Sequence, residues 1–185
     1  MFNMSGNDNF ITSFQELNIV PLVISYEYEP CCAFKVKELL SYSLHGTYQK
    51  KPNEDLQSII IGLSQPKGRI HLSVGKPVNY YLEKIEKQDT LNIKINKLVE
   101  FIDAEVYKNY KLWPGNYIAC DMLYDSHDYQ EFYTSINKEE FLKYMENEIS
   151  GIKGDRKVIE ELFLRIYANP LINFNQNISK FDSLL

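Results

Sequence analysis

The chain has 185 residues, 44% of them hydrophobic, and its 25 acidic residues outnumber 20 lysines and arginines for a net charge of −5. That length allows one domain, or one and a fraction, with a core of its own. The acidic balance argues against a nucleic-acid partner, which needs a basic surface, and gives no general attraction to an anionic membrane. No apolar run approaches the ~20 residues that span a bilayer. No basic region followed by a long apolar stretch marks a signal peptide. Three cysteines, an odd number, suit a reducing cytoplasm better than a disulfide framework. In that compartment the sequons at Asn3 and Asn177 carry no meaning. The fourteen tyrosines are assigned to amphipathic surfaces.

The first element is the run from Leu17 to Tyr26, almost unbroken in apolar residues and closed by Glu27-Tyr28-Glu29-Pro30. Such a run suits a strand buried on both faces, as in a parallel sheet covered by helices. Pro21 inside it needs a position outside the hydrogen-bond ladder. Phe34, Val36, Leu39, Leu40 and Leu44 predict a helix over 33–48. Pro52-Asn53 with Glu54 and Asp55 marks the start of another, with Leu56, Ile59, Ile60 and Leu63 as its apolar face. Gln65-Pro66-Lys67-Gly68 is a turn. Residues 69–74 alternate polar and apolar, which predicts a strand with one wet face, ended by Gly75-Lys76-Pro77.

From residue 90 the pattern becomes helical. Leu91, Ile95, Leu98, Val99, Ile102 and Val106 recur at helical spacing and predict a long amphipathic helix, broken by Trp113-Pro114-Gly115. Asn137 is the expected cap of a helix through Phe141, Leu142, Met145 and Ile149. Asp155 is the expected cap of a last helix with Val158, Ile159, Leu162, Phe163 and Ile166 on its face. Asn169-Pro170 is expected to stop it. The fold expected is α/β over 1–80, helical over 81–175, with a frayed tail over 176–185.

Several strings resemble the PlsC-like superfamily of bacterial glycerolipid (1-acyl-glycerol-3-phosphate) acyltransferases. They are Glu16-Leu17-Asn18-Ile19-Val20-Pro21 running into Ser25-Tyr26-Glu27-Tyr28-Glu29-Pro30-Cys31, then Gln65-Pro66-Lys67-Gly68-Arg69-Ile70-His71-Leu72 with Val74-Gly75-Lys76-Pro77. Asn109-Tyr110-Lys111-Leu112-Trp113-Pro114, Asn116-Tyr117-Ile118-Ala119 and Ile166-Tyr167-Ala168-Asn169-Pro170 follow in the family's order. The resemblance implies that 1–80 is the C-terminal part of an acyltransferase α/β domain and 81–175 a helical extension. It implies an acyl donor on coenzyme A or acyl carrier protein, a lysophospholipid or glycerol-phosphate acceptor, no cofactor, and at most peripheral contact with the inner face of the cytoplasmic membrane. The Val-Pro segment, Val20 and Pro21, would border the acyl and acceptor cleft.

One departure decides what this chain can do. The family's catalytic block is a histidine with an aspartate five positions on. Here the residues five positions after His45, His71 and His127 are Lys50, Lys76 and Phe132. The glycine- and arginine-containing block that binds glycerol phosphate is absent too. In relatives both blocks precede the Val-Pro segment. The expectation is therefore a C-terminal piece without catalytic residues, from a truncated gene or a mis-called start. The alternative is a non-catalytic binding or interaction module built from the same fold piece. Its exposed sheet edge would offer a route to self-association.

The other candidate residues carry bland readings beside sharper ones. His71 alternates with Ile70 and Leu72, so it belongs to the solvent-facing or helix-covered side of its strand. His45 sits at a helix end, where a cation is favoured. His127, between Asp125 and Asp128, fits a metal loop or a solvated turn. Cys31-Cys32 lacks the second pair a zinc site needs. Glu27 and Glu29 share a strand face; they read as polar groups at a strand end, with acid–base work as the sharper alternative. Lys67 and Arg69 read as exposed turn residues or as contacts to an anionic headgroup.

Overall fold

The computed structural model describes residues 10–85 and 90–184, with side chains described through 177. Asn3 lies outside that range. Most of the chain is helical: α1 (Phe10–Leu17), α2 (Cys32–His45), α3 (Glu54–Ser64), α4 (Asn79–Ile85), α5 (Leu91–Asn109), α6 (Pro114–Tyr124), α7 (Ser135–Ile149) and α8 (Arg156–Leu184). Two strands, β1 (Leu22–Tyr26) and β2 (Ile70–Val74), form a two-stranded sheet. The class is a loose α/β, and among the described residues the apolar run pairs in this ribbon and not in the parallel sheet that it predicts.

The ribbon is antiparallel. Glu27 N–H donates to Arg69 O at 3.0 Å and Gly75 N–H to Pro21 O at 2.9 Å. This register sets Ser25 opposite His71 and Val23 opposite Ser73. Pro21 needs only its carbonyl there, so a proline fits.

The ribbon's polarity corrects the sequence reading. Val23 and Ser25 are buried, whereas Leu22, Ile24, Ile70, Leu72 and Val74, with Val20 just before the strand, are 41% to 65% exposed. The run from Leu17 to Tyr26 is therefore not buried on both faces. In β2 the apolar residues point outward, and His71 and Ser73 take the covered side. The alternation is as read, and of the two sides left open for His71 it takes the covered one.

The chain divides into two compact units interleaved in sequence. The first takes Met1–Ser25, His71–Lys111 and Asn173–Leu185, as far as these are described. Its small core joins Ile11 of α1, Val78, Tyr81, Leu82 and Ile85 of α4 and its lead-in, and Leu98 and Phe101 of α5. Tyr81 and Phe101 stack with ring centroids 4.5 Å apart. The buried stripe of α5 is Leu98, Phe101 and Glu105; Val99, expected inside, is exposed. Glu105 is buried because its carboxylate accepts the backbone N–H of Lys76 at 2.7 Å. A side chain on Gly75 would start 3.0 Å from that carboxylate, which explains the glycine in the Gly75-Lys76-Pro77 turn.

The second unit takes Tyr26–Ile70 and Leu112–Ile172. Its core gathers Cys32, Val36 and Leu40 of α2, Ile118 and Ala119 of α6, Phe141, Met145 and Ile149 of α7, and Ile159, Phe163, Tyr167 and Leu171 of α8. Gly46, with φ +68°, closes α2 directly after His45. Helix α3 has no buried residue: Leu56, Ile59, Ile60 and Leu63 are 54% to 78% exposed, so its expected apolar face is present but uncovered.

Two boundaries move. Thr134 caps α7, its hydroxyl accepting from Asn137 N–H, while the Asn137 side chain reaches back to Thr134 N–H in a capping box. Asp155 caps α8 as expected, accepting from Lys157 N–H at 2.9 Å. Pro170, expected to stop α8, lies inside it, and the helix runs to Leu184 over the residues expected to fray. A proline removes a single helical bond, at a cost of about 3 kcal/mol. Tyr167, Ala168 and Leu171 are all buried around it, and that packing holds the helix through the defect.

Candidate functional site: a cross-strand ion pair and a tyrosine network

The residues that carry the family resemblance lie far apart in sequence. Within the second unit the fold brings four of those strings together. Glu27, at the end of β1, sits directly opposite Arg69. The guanidinium grips the carboxylate with two bonds, Nε to Oε2 at 3.0 Å and Nη2 to Oε1 at 2.7 Å, and Arg69 N–H adds a third at 2.9 Å. Those bonds hold the Glu27 carboxyl below its ordinary value of 4.5. Gly68 makes the grip possible. Its φ is +62°, and a Cβ there would lie 2.7 Å from Glu27 Oε2 and 2.8 Å from the Tyr28 ring.

The other face of Arg69 lies over Trp113, 5.0 Å from the ring centroid. Trp113 stands just before α6, which Pro114 opens. Its backbone N–H donates to Asn116 Oδ1 at 2.7 Å, and Asn116 Nδ2 donates to the carbonyl of Tyr167 at 2.8 Å. The Tyr167 hydroxyl bonds to the Tyr144 hydroxyl at 2.9 Å and accepts Glu29 N–H at 2.8 Å. Tyr144 donates to the Glu29 carbonyl at 3.0 Å and packs its ring against Tyr28, centroids 4.6 Å apart. Burial raises both the Tyr144 and the Tyr167 phenols, so they remain protonated donors. Residues 27–29, 68–69, 113–116 and 167 thus form one connected polar network.

An open cleft of about 400 Å³ adjoins it, lined by Tyr28, Glu29, Gln65, Pro66, Tyr144, Glu148 and neighbours on α7. Burial raises the Glu148 carboxyl. Glu29 pairs with Lys35 at 2.9 Å. Lys67 Nζ bonds the carbonyls of Leu63 and Gln65, which fix the ammonium at the turn without neutralising it.

The expected site residues therefore separate. Glu27 and Arg69 meet each other, and Lys67 is on the same turn. Val20 and Pro21 belong to the first unit, Val20 exposed and Pro21 buried with its carbonyl on Gly75. Glu27 is a partner in an ion pair and is not a free base. His71 lies on the covered face of the ribbon, its Nδ1 buried without a partner, opposite Ser25, whose hydroxyl is likewise unpartnered. His127 bonds Gln130 in the loop after α6. Among the described residues no group of three or more His, Cys, Asp or Glu is placed to hold a metal. Cys31 donates to Ser58 O, Cys32 is buried, and all three cysteines are free thiols.

Sequence reasoning passed over Asp121. This buried carboxylate accepts the Ser126 hydroxyl at 2.9 Å, the Tyr133 hydroxyl at 2.9 Å and the Tyr129 N–H, and so pins the loop between α6 and α7. A single aspartate on a helix carries no spacing signal for that role. Asn116 and Tyr167 did carry one, since both lie in the resembling strings. No family model matches the chain, and no curated protein or solved structure matches it either. Among the described residues no helix is long and apolar enough to cross a membrane.

Proposed function

We propose that this chain is the C-terminal portion of a PlsC-like glycerolipid acyltransferase. Its parent would transfer a fatty acyl group from acyl-CoA or acyl carrier protein to a lysophospholipid or glycerol-phosphate acceptor. The observation that supports this is the convergence of the Tyr26–Pro30, Pro66–Arg69, Trp113–Asn116 and Tyr167 strings in one bonded network. Residues that resemble a family in several separate strings gain a common physical reason when they touch. In this reading the network is a scaffold. Arg69 is occupied by Glu27, so Lys67 is a cation left for an anionic headgroup. The general base and its orienting aspartate come from elsewhere. The membrane contact of this acidic chain is peripheral and weak.

The test is an acyl-transfer assay with a long-chain acyl thioester and 1-acyl-glycerol-3-phosphate. The purified chain alone should show no turnover, since positioned acid–base catalysis is worth roughly 10²–10⁴-fold and is missing. Fused behind a polypeptide that carries the histidine–x4–aspartate and glycerol-phosphate blocks, it should gain activity. Turnover by the chain alone, or a folded fusion that stays inactive, would overturn the reading.

A second reading, a non-catalytic interaction module, is favoured by a different observation. The ribbon keeps its polar residues under cover and turns its aliphatic ones outward.

A further inference from the structure

We propose that the cleft between α7 and the turn at 65–66 binds an organic ammonium group, held over the Tyr28 and Tyr144 rings and beside Glu148. The cleft lies wholly within the second unit, and its volume of about 400 Å³ is in the range of small-ligand sites. One wall is a ladder on α7: Glu140, Tyr144 and Glu148 follow at four-residue spacing and so share one side of the helix. Tyr28, Glu29 and Pro66 line it with them. Phe141, Met145 and Ile149, one position on from each rung, are buried in the core. Core packing therefore sets which way the ladder faces, before any ligand arrives. The Tyr144 hydroxyl is bonded to Tyr167 and to the Glu29 carbonyl, so its ring is already ordered.

Charge chooses the ligand. The cleft is lined by three carboxylates and one ammonium. The neighbouring cations already hold partners: Lys35 pairs with Glu29 at 2.9 Å, Lys143 with Glu139 at 2.8 Å and Arg69 with Glu27 at 2.7 Å, while Lys67 bonds the carbonyls of Leu63 and Gln65. Two carboxylates are left over. Glu140 faces Arg69 and Lys143 at longer range. Glu148 is half-buried with no cation beside it among the described residues, and burial raises its carboxyl. An anion would meet these two charges. One metal ion cannot use both, since eight residues of helix set them about 12 Å apart. The rings decide the kind of cation. Tyr28 and Tyr144 pack with centroids 4.6 Å apart, and a phenol face attracts an alkylammonium, which gives up its hydration more readily than a small inorganic ion. Binding here does not depend on the acyl-transfer reading, and either can fail alone.

The test is an amide NMR titration of the full chain with choline chloride, against sodium chloride at matched ionic strength. Shifts should concentrate on α7 and residues 28–29 and 65–66 and saturate with a dissociation constant of about 1–10 mM, fitting a few-atom cation on ring faces and a carboxylate. Glu148→Gln should weaken binding at least about fivefold with helix content by circular dichroism unchanged, because the amide keeps an oxygen for the Ala33 N–H that the carboxylate accepts. Tyr28→Leu should weaken it similarly. Glu146→Gln, which removes the same charge from the α7 residue that pairs with Arg156, should leave binding intact. Phosphocholine separates the sources of the group: affinity equal to that of choline supports a free amine, and tighter binding supports an ammonium carried on a phosphate headgroup. No saturable shift up to about 100 mM choline overturns the proposal, as do shifts that sodium chloride reproduces and binding that survives Glu148→Gln. Displacement of choline by an equal concentration of magnesium chloride overturns it in favour of a metal ion.

Discussion

The two compact units bury polar groups for opposite purposes. In the second unit the buried polar atoms join distant segments: Asn116 links α6 to α8, and Tyr144 and Tyr167 link α7 and α8 to the end of β1. They sit within a large aromatic core, where Phe141, Phe163, Tyr144 and Tyr167 form a chain of ring contacts. In the first unit Glu105, Asn109 and Ser73 serve one local end, holding the ribbon and its following turn against α5. Among the described residues the core beside them is about half as populous. The difference teaches that the same polar groups can join distant segments or fix one local turn, while apolar surface stays outside in both units, on the ribbon in the first and on α3 in the second.

The sharpest way to break this comparison is the core itself. Phe163→Ala should cost about 3–5 kcal/mol in denaturant unfolding, the range for a fully buried phenylalanine. Native-state hydrogen exchange on a monomeric sample should then accelerate across α7 and α8. In the unaltered chain those helices should exchange slowest and residues 19–24 faster. Equal protection of 19–24 and α8 would erase the distinction between the units. Glu105→Ala should come next, at about 1–3 kcal/mol, because Lys76 N–H loses a buried acceptor. Its exchange signature should stay in the first unit; acceleration in α7 would show that the units are one cooperative body.

Capping sharpens the comparison at smaller scale. Thr134→Ala should cost about 1 kcal/mol and fray the start of α7; no change in the melting midpoint would show that tertiary packing alone holds that end. The smallest effect belongs to the Glu27–Arg69 pair, since the arginine is mostly exposed and such pairs are worth about 1 kcal/mol or less. Its pH dependence identifies it. The folded carboxyl lies below its ordinary 4.5, so the pair's contribution is fully present above that value and disappears as pH falls through the depressed one. Glu27→Gln should therefore be less stable than the unaltered chain at neutral pH, with the two converging in acid. A difference that persisted at low pH would mean that Glu27 acts through shape and not charge.

Local chemistry was legible. Asp155 starts α8 and the acidic pair at 54–55 opens α3, each because capping needs only neighbours in sequence, whereas the helix expected over 33–48 stops at Gly46. Helix α6 was passed over, although proline at its first position was a usable signal, and α1 and α4 were too short for a clear period. Pro170 misled because its helix is held by Tyr167 and Leu171, whose packing partners lie on other elements. Of the candidate site, the resembling strings named nearly all the participants, but the role of Arg69 as the partner of Glu27 depended on register.

The sequence by itself determined which residues are apolar, where they repeat and where the chain turns, because propensity, capping and periodicity are local properties. It also determined that no histidine here has an aspartate five positions on. Only the tertiary structure decided which side of each repeat is covered. An alternating strand and an amphipathic helix have two faces, and periodicity is the same whichever is buried. For β2 and α3 the apolar side lies outward, since burial is set by what the rest of the chain brings alongside, and that is a long-range property.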